Sequence, residues 1–240
     1  HKWDVTRRFI EEFTAEPPTL VTRGEGMRPW NAWTKGTRFV LENLRTALDA
    51  PGEWYLDRQT GKLSYIPYEG ETPENTVLYA GTTESLITVD GTDGISFVGL
   101  EFSHGDWSIP VQEGWLGRDD MDSVQAAISV SSLITVSNAQ NIAFDGCSFT
   151  NIANTALCFE TNVQDSEIVN CAFCDIGGTA VRLRGQNLEE DDERVMTGIN
   201  ILNNDISAYG RRFFCAIGIQ IMYANFCAIE NNVIHDGNYS

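Results

Sequence analysis

From residue 94 onward the chain repeats one short line of hydrophobic and polar positions five times. An apolar or β-branched residue, a spacer and a second apolar residue lead to Gly or Asn, with Phe or Ile three places on. The copies run Ile95-Ser96-Phe97-Val98-Gly99 with Phe102, Ile142-Ala143-Phe144-Asp145-Gly146 with Phe149, and Ser166-Glu167-Ile168-Val169-Asn170 with Phe173. Two more follow, Ile199-Asn200-Ile201-Leu202-Asn203 with Ile206 and Cys227-Ala228-Ile229-Glu230-Asn231 with Ile234. The Gly/Asn positions are separated by 47, 24, 33 and 28 residues. That spacing describes one coil of about two dozen residues with insertions, the mark of a solenoid.

A second alternating stretch lies between successive copies: Ala127-Ile128-Ser129-Val130, Ala156-Leu157-Cys158-Phe159, Ala180-Val181-Arg182-Leu183 and Gly218-Ile219-Gln220-Ile221. Period-2 alternation predicts strands, about three short ones per coil. Gly and Asn tolerate a left-handed backbone at low cost, so one at the same place in every coil predicts a repeated sharp corner. Stacked parallel strands without long helices predict an all-β, right-handed parallel β-helix over residues 94–240.

Residues 1–93 do not repeat and predict a small β-rich insert or cap. Pro17-Pro18, Gly24-Glu25-Gly26, Pro51-Gly52 and Gly61 mark its turns. Residues 53–67, from Glu53 to Pro67, alternate on both sides of a polar turn and predict a hairpin. Apolar residues at 40, 41, 44 and 48 predict a short helix over 37–48.

Composition narrows the partners. With 16 basic against 34 acidic residues the formal charge is −18, which argues against nucleic acid and anionic membranes. No apolar run approaches the roughly 18 residues of a membrane helix. The acidic run 189–193 sits in the 33-residue interval and reads as a solvated loop, since it lacks calcium-ligand spacing. All six cysteines follow residue 146 and all six tryptophans precede residue 116. Cys147, Cys171, Asn204 and Asn232 fall in one column of adjacent coils, about 5 Å apart. Stacked small side chains are the simplest arrangement there, although the spacing leaves a disulfide sterically open. Cys171-Ala172-Phe173-Cys174 has no second pair or His cluster that would make it a zinc or redox motif. No metal or cofactor is expected.

Several segments resemble β-helical (pectate-lyase-like) glycoside hydrolases, in particular glycoside hydrolase family 141. They are residues 48–58 from Leu48 to Arg58, residues 95–104 with Trp107, residues 124–130, Tyr209-Gly210-Arg211-Arg212, and residues 231–240 with His235-Asp236. The resemblance implies a secreted or periplasmic bacterial enzyme that hydrolyses complex plant polysaccharides or oligosaccharides, with fucosidase and xylanase activities both represented. It implies Asp236 as one catalytic carboxylate and places the second beyond Ser240. The chain stops after a corner and before the strand that follows in earlier coils, so the rest of the same polypeptide is an expected partner.

Glycosidic hydrolysis needs one carboxylic acid to protonate the leaving oxygen and one carboxylate to attack or to activate water. Asp236 is the catalytic candidate, with a turn-capping role as its rival. Asp175 shares its corner column, with Asn151 and Ala208, and reads as a cap. Two coils would separate the two Asp residues by about 10 Å, wider than the roughly 6.5–9.5 Å of inverting enzymes. Glu160 faces Arg184 one coil away and reads as a surface ion pair. Arg211 and Arg212 are candidates to hold a sugar hydroxyl or carboxylate, and the outward Gln220 amide to bond sugar hydroxyls. His104 and Trp107, in the long interval with Trp115, Asp119, Asp120 and Asp122, are candidates to line a sugar site; packing of the loop is the simpler role. His235 is expected near the substrate chiefly as a buttress of the turn. Asn238-Tyr239-Ser240 matches the N-glycosylation pattern by coincidence. A polysaccharide lyase, with Arg182 or Arg184 on a strand face, and a non-catalytic carbohydrate-binding solenoid are the alternatives.

Overall fold

Each Gly or Asn of the repeated line has a left-handed backbone: φ is 62° at Gly99, 60° at Gly146, 54° at Asn170, 57° at Asn203 and 56° at Asn231. The corner N–H groups join the coils, as Gly146 donates to the Val169 carbonyl at 3.0 Å and Asn170 to Leu202 at 3.1 Å. The computed structural model describes residues 5–24, 32–109, 125–189 and 192–239. Two compact units result, one of Trp33–Tyr79 and one of His1–Ala32 with Ala80–Ser240.

In the larger unit, Ile10–Ala15 pairs antiparallel with Pro18–Thr22, and the strands from Ile87 onward stack in parallel as four sheets. The first holds Ser96–Val98, Ala143–Asp145, Glu167–Val169, Asn200–Leu202 and Ala228–Glu230. After the corner comes the second, with Glu101–Ser103, Ser148–Ile152, Ala172–Ile176, Asp205–Tyr209 and Val233–His235. The third holds Ile87–Asp90, Ser132–Ser137, Thr155–Phe159, Val181–Arg184 and Ile219–Met222. The fourth consists of two-residue strands, Ala139–Gln140, Val163–Gln164, Met196–Thr197 and Ala224–Asn225, and raises the count per coil from the expected three to four. The architecture is a parallel β-helix. Stacking already includes Ile87–Asp90, which pairs in register with Ile134 to Ser137, so coil structure begins before the boundary expected at residue 94.

One strand lies elsewhere than its pattern predicts. Ala127 to Val130 alternates, yet Ala126 and Ala127 have φ of 59° and 53° and belong to a 3-10 turn. Ser132–Ser137 takes the place in the sheet, aligning Ile134 with Leu157 and Val136 with Phe159.

Inward side chains form a continuous core. Phe144, Phe149, Phe159 and Ile168 are fully buried. Phe97 stacks on Phe144 with centroids 4.6 Å apart, and Phe149 on Phe173 at 4.5 Å. Each such pair contributes about 0.5–1.5 kcal/mol beyond its area burial. The Cys/Asn column is also inward. Cys147 and Cys171 are free thiols whose S–H groups donate to the carbonyls of Phe97 and Phe144 in the preceding coil, at 3.3 and 3.4 Å. Asn204 and Asn232 continue the pattern, donating to Ile168 and Ile201 at 2.9 and 2.8 Å. Burial pushes the Cys171 thiol up to about 12. Cys174 is exposed while Cys171 is buried, so the two thiols of the C-x-x-C sequence occupy different environments.

The unit Trp33–Tyr79 contains the expected hairpin: Trp54–Asp57 pairs antiparallel with Lys62–Tyr65, and Gly61 closes the turn with φ of 70°. The helix expected over 37–48 is only a 3-10 turn at Arg45–Ala47. Asn43 explains this, because its backbone is left-handed at φ 53° and its amide pairs with both the N–H and the carbonyl of Leu56. The side chain thereby joins the hairpin edge, which a helical residue could not do.

Candidate functional site

Aligned residues of the second sheet lead into a second left-handed corner. Ser103, Thr150, Cys174, Ser207 and His235 stand in register. The residues that follow them are His104, Asn151, Asp175, Ala208 and Asp236, with φ of 59°, 54°, 57°, 49° and 54°. His104, Asp175 and Asp236 thus belong to one column, and the Asp236 side chain is 77% exposed. The chain leaves the coil at this corner, and the described arms of that excursion are residues 105–109 and 125–131; residues 210–217 form a loop on a later coil.

These segments are tied together by specific groups. Arg211, Arg212 and Phe213 donate their N–H groups to Ile176 and Gly177 at 2.8–3.0 Å. The Glu84 carboxylate grips both ends of the long excursion, accepting from the Ser108 N–H and hydroxyl at 2.8 and 2.7 Å and from the Ser131 hydroxyl at 3.3 Å. At the last corner, the Asn238 amide donates to the Gly210 carbonyl at 3.2 Å, and Gln125 reaches the Tyr239 hydroxyl at 3.3 Å.

The structure distributes the candidates as follows. His235 Nδ1 lies 2.8 Å from Asp236 Oδ2, and its Nε2 lies 3.3 Å from Asp205 Oδ1. The Asp236 hydrogen bond is the main cause that raises the His235 pKa; desolvation opposes it, and charge on Asp236 and Asp205 adds to it. Arg211 Nε lies 3.6 Å from Asp175, so this Asp has an ionic partner. Arg212 donates to the Trp107 carbonyl at 2.8 Å and holds its guanidinium 5.8 Å above the Trp107 ring. Trp107 is 6% exposed and meets Phe213 edge-on at 5.0 Å, so the loop-packing role describes it and no free ring face is offered to a sugar. His104 is half-buried beside Gly105. Gln220 is 5% exposed, buried rather than outward at the surface, and its Oε1 has no hydrogen-bond partner among the described residues. Glu160 and Arg184 form the expected surface pair at 3.8 Å. Trp115, Asp119, Asp120 and Asp122 lie outside the described residues.

Asp205 escaped the reading of the sequence, and Arg182, expected on a strand face, is buried. Asp205 meets His235 on a diagonal, since their register partners are Val233 and Ser207. Arg182 is 1% exposed and donates to Cys158 Sγ, to the Ile128 and Val130 carbonyls and to the Ser132 hydroxyl. This buried guanidinium staples the returning arm of the excursion to the third sheet. Its register with Cys158 and Gln220 follows from the strand pattern, whereas the covering segment does not.

The larger unit is thus a parallel β-helix that exposes a carboxylate at a corner beside the loop 210–217. No protein-family model and no curated protein matches the chain. A solved structure titled "Glycoside hydrolase" is similar, with a TM-score of 0.62 and 25% sequence identity over 76% of this chain. The chain spans 37% of the length of that protein.

Proposed function

We propose that this chain belongs to a glycoside hydrolase of the family 141 type, acting on complex plant polysaccharides, with Asp236 as one of two catalytic carboxylates. The observation that carries the reading is the Asp236 carboxylate itself, exposed at the loop-flanked corner with one oxygen held by His235. A carboxylate fixed in one orientation is suited to attack an anomeric carbon or to take a proton from water. The similar solved glycoside hydrolase supports the reading at the level of scaffold.

Asp175 stands two coils away in the same column, about 10 Å at normal strand spacing, and Arg211 occupies it. The resemblance, and not the geometry, is what puts the second carboxylate outside these 240 residues. The fucosidase or xylanase choice and a secreted or periplasmic location rest on that resemblance too. A lyase is less well supported, because Arg182 is buried and Arg184 is paired with Glu160. Release of reducing sugar from cell-wall polysaccharides, compared between wild type and Asp236→Asn, tests the proposal; activity that survives the substitution would reduce Asp236 to a turn residue.

A further inference from the structure

We propose that Asp205 is a positioning residue for Asp236, acting through His235, so that the three side chains form one unit with protons on both ring nitrogens of His235. This inference rests on the reading of Asp236 as a catalytic carboxylate. The unit spans two coils: Asp205 opens its strand in the second sheet, while His235 closes the next strand over and leads into the Asp236 corner.

The chemistry follows from what each group can donate. An ionised carboxylate only accepts hydrogen bonds, and a neutral imidazole carries a single N–H. His235 presents Nδ1 to Asp236 at 2.8 Å and Nε2 to Asp205 at 3.3 Å. A neutral ring would direct a bare lone pair at one carboxylate, so the imidazolium alone satisfies both contacts. The charged groups that bear on the ring are Asp236 from its own turn and Asp205 from the strand packed beside it, and both favour its protonated form.

The Nδ1 hydrogen bond and the Nε2 ion-pair contact together orient the ring. Its Nδ1–H then holds Asp236 Oδ2, leaving Oδ1 as the oxygen presented at the corner. Partners that orient a functional group from behind govern how long it spends in its working geometry. Loss of Asp205 frees one end of the ring, which affects turnover more than substrate affinity.

The chain has three histidines, so three C2–H proton resonances report its imidazoles, and His235→Asn assigns one of them. In wild type the His235 midpoint should lie above the usual value of about 6.5. In Asp205→Asn it should fall by about half a unit. The same variant should lose about tenfold in kcat on a cell-wall polysaccharide, with KM unchanged and the alkaline limb of the pH profile displaced toward lower pH. Asp205→Glu should recover part of both effects. An unchanged His235 midpoint in Asp205→Asn overturns the proposal, and so does a displaced midpoint with kcat and the pH profile unaltered. The spectrum is read without substrate. A wild-type protein with no turnover would therefore overturn the glycosidase reading and the catalytic half of this one, while the midpoints still decide the contact.

Discussion

Replacement of Asn204 separates the worth of the inward amide column from that of the hydrophobic core around it. Asn204 is 1% exposed. Its Oδ1 accepts the Cys171 N–H at 2.8 Å, and its Nδ2 donates to the Ile168 carbonyl at 2.9 Å. Asn204→Ala strips the Cys171 N–H of its partner inside a sealed core and removes the side-chain donor from the Ile168 carbonyl, which keeps its place in the strand ladder. The unpaired N–H costs about 1–3 kcal/mol and the lost bond to the carbonyl about 0.5–1.5 kcal/mol, so the loss is about 1.5–4.5 kcal/mol. Asn204→Cys supplies a finer comparison, because Cys171 already donates its thiol to the equivalent carbonyl of the coil before. A thiol at 204 keeps Ile168 paired and abandons only the Cys171 N–H, which costs about 1–3 kcal/mol. Asn232 Oδ1 keeps the Asn204 N–H at 3.0 Å in either variant. Urea unfolding followed by circular dichroism measures the series, with the order wild type, Cys, Ala expected. Ala and Cys variants equal to each other and to wild type would refute the assignment of stability to these hydrogen bonds.

Other perturbations test separate parts of the account. Gly237→Ala would drive a methyl group into the buried Tyr209 ring and should destabilise by about 1–3 kcal/mol, read as a lower Tm. Arg182→Met leaves the carbonyls of Ile128 and Val130 without their donor; limited proteolysis should cut residues 125–131 faster in the variant, and an unaltered digestion rate would show the staple to be unimportant. His235 has a raised folded-state pKa, so its contribution to stability is complete below the unfolded value of about 6.5 and disappears as pH rises through the folded value. His235→Asn should therefore flatten the fall in stability above pH 6.5, measured by urea titrations at closely spaced pH.

The corners were legible in the sequence because a left-handed turn favours Gly and Asn over other residue types, and Gly99, Gly146, Asn170, Asn203 and Asn231 all occupy one. The inward Phe and Ile positions followed from period-2 alternation, which stacking preserves from coil to coil. Residues 127–130 alternate equally well, yet the carbonyls of Ile128 and Val130 are taken by Arg182 instead of a neighbouring strand. That competition arises from a residue more than fifty positions away and leaves no local trace. Asn43 similarly overrides the apolar spacing of 37–48 by bonding to Leu56. At the candidate site, His235 and Asp236 were found because they adjoin a corner, whereas Asp205 reaches them diagonally across coils and becomes visible only with the register. Trp107 was read as a loop residue and Gln220 as an outward strand residue, and the burial of both is a tertiary property that the local pattern does not carry.

The central claim is that the Asp236 carboxylate takes part in glycosidic hydrolysis. The most direct measurement is reducing-sugar release from a panel of plant cell-wall polysaccharides by the polypeptide that carries this chain, beside its Asp236→Asn variant with circular dichroism matched. Hydrolysis by wild type and its loss in the variant is the predicted result; equal release by both proteins would contradict the claim.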